Sequence, residues 1–133
     1  MPHKSTVLQP TKKPDVILVH GFRGSPLGLK TIADDLHQAG FTVHLPAVPP
    51  FAGSPALEKY TPHAYADFLA HYIREHQLSR PILVGHSMGS VVVSATAKFH
   101  PELINSKLIL LSPISTKPAK PNVWFIRIKR IKE

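Results

Sequence analysis

Pro81-Ile82-Leu83-Val84-Gly85-His86-Ser87-Met88-Gly89-Ser90 decides how the rest of the chain is read. The apolar run after Pro81 predicts a strand over Ile82-Leu83-Val84. Ser87 to Phe99, despite its Val91-Val92-Val93 run, predicts a helix buried on both faces against a sheet. Between them, Gly85-His86-Ser87-Met88-Gly89 matches G-x-S-x-G in the strand-turn-helix setting that the pattern requires. The spacing has a mechanical reason. A sharp turn holds the serine strained with its hydroxyl above the sheet, and side chains two residues to either side would strike neighbouring backbone. The helix that follows points its N-terminus at the hydroxyl and favours developing negative charge there.

Outward from this turn, short apolar runs alternate with stretches of helical spacing, and there is no internal repeat. Val16 to Val19 reads as a strand buried on both faces, followed by a loop from Gly21 to Ser25. Ser25-Pro26 opens a helix whose Leu29, Ile32, Ala33, Leu36 and Ala39 recur at three or four until Gly40 stops it. Phe41 to Leu45 is a second strand, and proline-rich Pro46 to Tyr60 is a long loop. Thr61-Pro62 caps a helix with an apolar face of Tyr65, Phe68, Leu69, Tyr72 and Ile73. Lys107 to Leu111 is the last strand. This order predicts an α/β fold: an open parallel sheet of about four strands, helices on both faces in three α/β/α layers, and right-handed crossovers. Ligands in such sheets bind at the carboxyl ends of the strands.

The 133 residues support one small domain, and 43% hydrophobic residues exclude wholesale disorder. The absence of cysteine excludes disulfide scaffolds, thiol catalysis and thiolate zinc, and with a polar, proline-containing start it leads us to expect a cytoplasmic protein. No apolar run reaches the roughly 18 residues of a membrane span, so stable membrane insertion is not expected. The formal charge of +8 suggests nucleic acid or anionic lipid until it is located. Residues 1–13 and 117–133 carry all of the excess, and the body between them is neutral. No nucleic-acid partner is therefore expected. The predicted organisation is a basic flank over 1–14, a core over 15–115, and a basic tail over 116–133.

Acyl transfer through a serine needs two donors aimed at the oxyanion. The N–H of Met88, after the serine, supplies one. The other comes from Phe22 in His20-Gly21-Phe22, just beyond the first strand, where Gly21 lets the loop approach. His20 reads as the residue that holds this loop, and His86 and the two glycines support the turn. Arg23 beside the loop reads as a surface ion pair ahead of a contact to a substrate carboxylate. Phe51, Leu57 and Tyr60 hint at an apolar wall, against the plainer role of packing inward. Neither a metal nor a cofactor is expected: His71 and His76, five apart, lack ligand spacing on one helix face.

Over about residues 15 to 115 the chain resembles the N-terminal half of an α/β-hydrolase fold serine hydrolase. Val16 to Ser25 resembles that family's oxyanion strand and loop, Pro81 to Ser90 its nucleophile elbow, and Phe99 to Leu103 with Lys107 to Pro113 the helix end and strand that follow. It departs where relatives often carry an Asp and a Pro-Gly pair and this chain has Pro46-Ala47-Val48-Pro49-Pro50. The resemblance implies an esterase or lipase acting on a small-molecule acyl substrate through a Ser87 acyl-enzyme. Its acid and base should follow the serine in the chain, yet only His100, Glu102 and Glu133 do. The first two are expected at the far end of the helix, and Glu133 ends the tail.

His44, Glu58 and His63 are expected near the carboxyl edge. His63 is the candidate substitute base, against the plainer reading of a surface histidine at a helix terminus. The expectation is that the second half of the fold lies beyond residue 133, that 113–133 begins a lid region with apolar and basic Trp124 to Ile131, and that the chain is inactive in isolation. The last strand would then be an exposed edge, inviting a homodimer. Two other readings stand: a non-catalytic interaction module of the same fold, and a binder of anionic surfaces through the basic termini.

Overall fold

In a computed structural model, which describes residues 12–113, four strands form one parallel sheet. They are β1 (Val16–Val19), β2 (Val43–His44), β3 (Ile82–His86) and β4 (Leu108–Leu111), in spatial order β2-β1-β3-β4. The register places Val16 opposite Val43 and Ile82, and Leu83 opposite Leu108. The helices are α1 (Lys30–Gln38), α2 (Pro62–Glu75) and α3 (Gly89–Phe99), with short 3₁₀ turns at Pro26–Leu29 and Pro101–Leu103. The α/β architecture and the parallel pairing read from the alternating pattern are both present.

Strand periodicity explains the layers, because successive side chains leave opposite faces of a sheet. Ile17, Val19 and Leu83 pack with Tyr65, Leu69 and Ile73 of α2 and Val92 and Val93 of α3. Val16, Leu18, Ile82 and Val84 pack on the other face with Leu29 and with Ala33 of α1. This is why Val16 to Val19 is apolar at every position, and all four are buried. Each such side chain contributes about 1.5–3 kcal/mol of burial. The β1-to-β2 connection runs one way along the sheet, and the β2-to-β3 and β3-to-β4 connections run the other. The connections change direction between β1 and β3, and the crevice above their carboxyl ends is where such sheets hold ligands.

Boundaries differ in several places, among them a third strand that runs on to His86 and a first helix that opens as a 3₁₀ turn. The second strand pairs only over Val43–His44 because the Phe41 N–H is drawn back to the Leu36 carbonyl at 3.0 Å and Pro46 brings no donor. The third helix begins at Gly89, two residues later than expected, because Ser87 has φ 54°. The last strand starts at Leu108, one residue after Lys107. Thr61 does cap α2, its Oγ1 accepting from the Ala64 N–H at 3.1 Å. The tail after Pro113, including Trp124 to Ile131 and Glu133, and the start of the basic flank lie outside the described residues.

Candidate functional site

The crevice between β1 and β3 is closed by two turns that touch. The first is the β3–α3 turn, where Ser87 sits in the left-handed region, a conformation that costs a non-glycine residue about 1–2 kcal/mol. It is held there from both sides: the Ser87 N–H donates to the Leu111 carbonyl of β4 at 3.0 Å, and the Ser87 carbonyl accepts from the Ser90 N–H at 2.9 Å and the Ser90 hydroxyl at 2.5 Å. The flanking glycines are steric necessities. A Cβ on Gly85 would lie 2.4 Å from the Gly89 carbonyl oxygen, and one on Gly89 would lie 2.1 Å from the Val19 carbonyl oxygen. Collisions inferred from spacing are thus present in the fold. Met88 follows as the N-cap of α3, and His86 is exposed.

The second turn is the loop after β1. A Cβ on Gly21 would stand 3.0 Å from the Ser87 Cβ and 3.5 Å from the Met88 nitrogen, so only glycine lets this loop approach so closely. The loop closes with the Gly24 N–H donating to the Gly21 carbonyl at 3.0 Å. Beneath it His20 is buried, and its Nε2 accepts from the Val48 N–H at 2.8 Å. Nδ1 therefore carries the proton and donates to the Gly21 carbonyl at 2.9 Å. With both nitrogens engaged, His20 is a tie between the β1 loop and the loop after β2. The N–H groups of Phe22 and Met88, one on each turn, have no acceptor among the described residues. Two free amides beside a strained serine are what stabilising an oxyanion requires.

Two further residues at this edge, Ala52 and Ser112, escaped the sequence reading, and Phe51 of the expected apolar wall does reach it. Phe51 meets Phe22 edge-to-face at 5.1 Å, which joins the loop after β2 to the loop after β1. Ala52 and Ser112 share the left-handed conformation, at φ 52° and 46°, as does Arg23 at 55°. Thus four of the six strained non-glycine residues belong to loops at this crevice, and strain gathers where function demands it. Ala52-Gly53 was a readable turn signal for the first; nothing in the sequence marks Ser112. Of the other wall residues, Leu57 packs inward on the core, and Tyr60 is exposed, its hydroxyl accepting from the Leu57 N–H at 3.2 Å. The Arg23 guanidinium lies over the Phe22 ring at 5.4 Å, and among the described residues it has no acidic partner, so the expected ion pair is absent.

Several expectations about acids and bases are corrected. His63 does not adjoin Ser87: its ring stacks on Phe99 at 4.4 Å, at the last turn of α3. α3 is 11 residues long, so its ends are roughly 16 Å apart. Across that distance an imidazole cannot take the serine proton. The first turns of α2 lie against the end of α3, where Asp67 meets His100, and Glu58 lies with them, beside Ala64 and Asp67. His44 is at the amino edge, with Nε2 3.0 Å from Asp15 Oδ2, since β2 pairs with the first two residues of β1. His100 and Glu102 are at the far end of α3 as expected, and His100 Nε2 lies 2.8 Å from Asp67 Oδ1. That hydrogen bond is the first cause of an Asp67 pKa below the usual carboxylate value. No group of three or more metal-ligating side chains occurs among the described residues, and no described helix is long and apolar enough to cross a membrane.

A family model described as the alpha/beta hydrolase fold matches residues 14–132. The chain is 28% identical to a probable alcohol acetyltransferase of Saccharomyces cerevisiae over 86% of its own length and 35% of that protein's. It is 31% identical to a putative esterase/lipase of Mycoplasma pneumoniae over 80% of its length and 40% of that protein's. A thermophilic esterase from Thermogutta terrifontis superposes with a TM-score of 0.70 at 28% identity, covering 83% of this chain and 40% of that one. The chain therefore spans 35–40% of the length of the curated relatives it matches.

Proposed function

Because this chain belongs to the alpha/beta hydrolase fold family, we propose that it carries the nucleophile half of a serine esterase or lipase acting on a carboxylic ester or related acyl substrate. Ser87 is the nucleophile, and the Phe22 and Met88 amides are the oxyanion hole. The observation that carries this reading is the left-handed Ser87 in a turn cleared by glycines, facing Gly21. In the reaction Ser87 Oγ bonds to the acyl carbon, the bond to the alcohol oxygen breaks, and the serine proton passes through a base to the departing alkoxide. Water then repeats the exchange and releases the acid, regenerating the serine.

The missing component is that base. No histidine with a carboxylate partner adjoins Ser87 among the described residues, and this supports the reading that the isolated chain is inactive. The non-catalytic module is the alternative to this reading. Acyl transfer to an alcohol is a second catalytic reading, supported by the likeness to a probable acetyltransferase; it differs only in the acceptor that takes the acyl group from Ser87. The exposed side of β4, which pairs only with β3 among the described residues, would be the face of a homodimer, and a cytoplasmic setting follows from the cysteine-free composition. A fluorophosphonate probe with peptide mapping tests the reading. Slow modification concentrated at Ser87 supports it; modification of Ser87 no faster than of other exposed serines would favour the non-catalytic module.

A further inference from the structure

At the amino edge of the sheet, opposite Ser87, the segments entering β1, β3 and β4 line an open pocket of about 410 Å³. Its lining includes Lys12, Lys13 and Arg80 as cations and Gln77, Ser79 and Asn105 as neutral polar residues. The lining contains one acid, Asp15, and its carboxylate is taken by His44 at 3.0 Å. None of the three cations has an acidic partner among the described residues. Lys13 is anchored by its Nζ to the Ala39 carbonyl and lies over the Phe41 ring. Arg80 commits only Nε, to the Ile104 carbonyl at 3.1 Å, which fixes the guanidinium plane and leaves both Nη groups uncommitted. Lys12 makes no described contact of its own.

Three cations gathered at one concavity repel one another, and its described lining holds no carboxylate beyond Asp15. A ligand able to offset that charge must be an anion. We propose that this pocket binds a phosphate group, carried by a small phosphorylated molecule, through Arg80 and Lys12 with Gln77, Ser79 and Asn105 supplying neutral hydrogen bonds. A guanidinium fork suits two oxygens of a tetrahedral phosphate, an ammonium suits a third, and neutral donors complete the set. The volume is in the range of small-molecule sites and leaves room for an organic group beyond the phosphate. Lying at the opposite sheet edge from Ser87, the site is independent of acyl chemistry and of the function proposed above.

The test is a titration of the full chain with inorganic phosphate, glycerol 2-phosphate and succinate, each at constant ionic strength, followed by amide NMR. Saturable shifts at Ser79 and Arg80 with a dissociation constant of about 1 mM are expected for the two phosphates, with Gly21 and Ser87 unmoved. Arg80→Gln should weaken binding roughly tenfold or more, and exposed Lys12→Gln, which disturbs no described hydrogen bond, by a smaller factor. Absence of saturation well above that concentration, unchanged affinity in both variants, or an equal response to succinate would each overturn the proposal.

Discussion

Replacing Gly89 by alanine sets two effects of opposite sign against each other. Gly89 is the first residue of α3, and in a helix alanine is favoured over glycine by up to about 1 kcal/mol. Against this, the new methyl would lie 2.1 Å from the Val19 carbonyl oxygen and 2.8 Å from that of His20. Ordinary contact needs about 3.5 Å, so helix and strand must part by more than about 1 Å. Both obstacles are backbone at the end of the central strand, where no side chain can rotate away. Overpacking of this kind costs about 1–3 kcal/mol and sometimes more, and the rigidity of both partners places it at the upper end. The net loss should be about 2 kcal/mol or more, which at a urea m-value of roughly 1.5 kcal/mol/M lowers the unfolding midpoint by more than about 1 M. Gly28→Ala is the control, because a Cβ there meets nothing within 4 Å; its stability should hold or rise, by up to about 1 kcal/mol. A Gly89→Ala midpoint equal to or above the parent's would refute the claim that close approach, and not turn flexibility, demands this glycine.

Ser87→Gly should raise stability by about 0.5–1 kcal/mol in the same assay, since relief of the left-handed φ outweighs the added chain entropy; a loss would mean that the turn is unstrained. His20→Phe removes the acceptor of the buried Val48 N–H and should cost about 1–3 kcal/mol, with faster exchange of the Val48 amide as the specific mark. For Asp67 the folded-state pKa is lowered, mainly by the His100 hydrogen bond. Its contribution is therefore present above the unfolded value of about 3.9 and is lost as the pH falls through the lowered folded value. Asp67→Asn should flatten the decline of the urea midpoint below about pH 4 relative to the parent; an unchanged slope would show that the pair is inert.

What could be read from the sequence was whatever local sterics and periodicity dictate. Val16 to Val19 and Ile82 to Val84 announced buried parallel strands because nothing else explains four- and three-residue runs without a polar position. Gly85 and Gly89 announced the turn because their separation is set by the backbone that a side chain at either position would strike. His44 sits elsewhere than expected because β2 pairs only with the first two residues of β1, and Glu58 and His63 because they lie near the end of, and just after, the long loop from Pro46 to Tyr60, whose path depends on tertiary contacts. The Val48–His20 hydrogen bond and the Tyr65 hydroxyl donating to the Pro49 carbonyl at 3.0 Å are two of these. That path carries the chain to the end of α3 before α2 begins, and no local pattern encodes it. The Phe22–Phe51 contact was hidden for the same reason, as was the pocket at the amino edge, which is assembled from three segments far apart in the chain.

Under the function proposed above, Ser87 is a nucleophile with no base beside it among the described residues, and added imidazole can stand in for one. The rate of fluorophosphonate modification at Ser87, mapped by mass spectrometry at neutral pH, should be slow in the unaided chain and rise in proportion to imidazole. The same treatment of Ser87→Ala should leave the remaining serines at their slow background. Rapid stoichiometric modification without imidazole would show that a base is already in place, and a rate at Ser87 no different from that at other exposed serines would show that the turn is not a catalytic one.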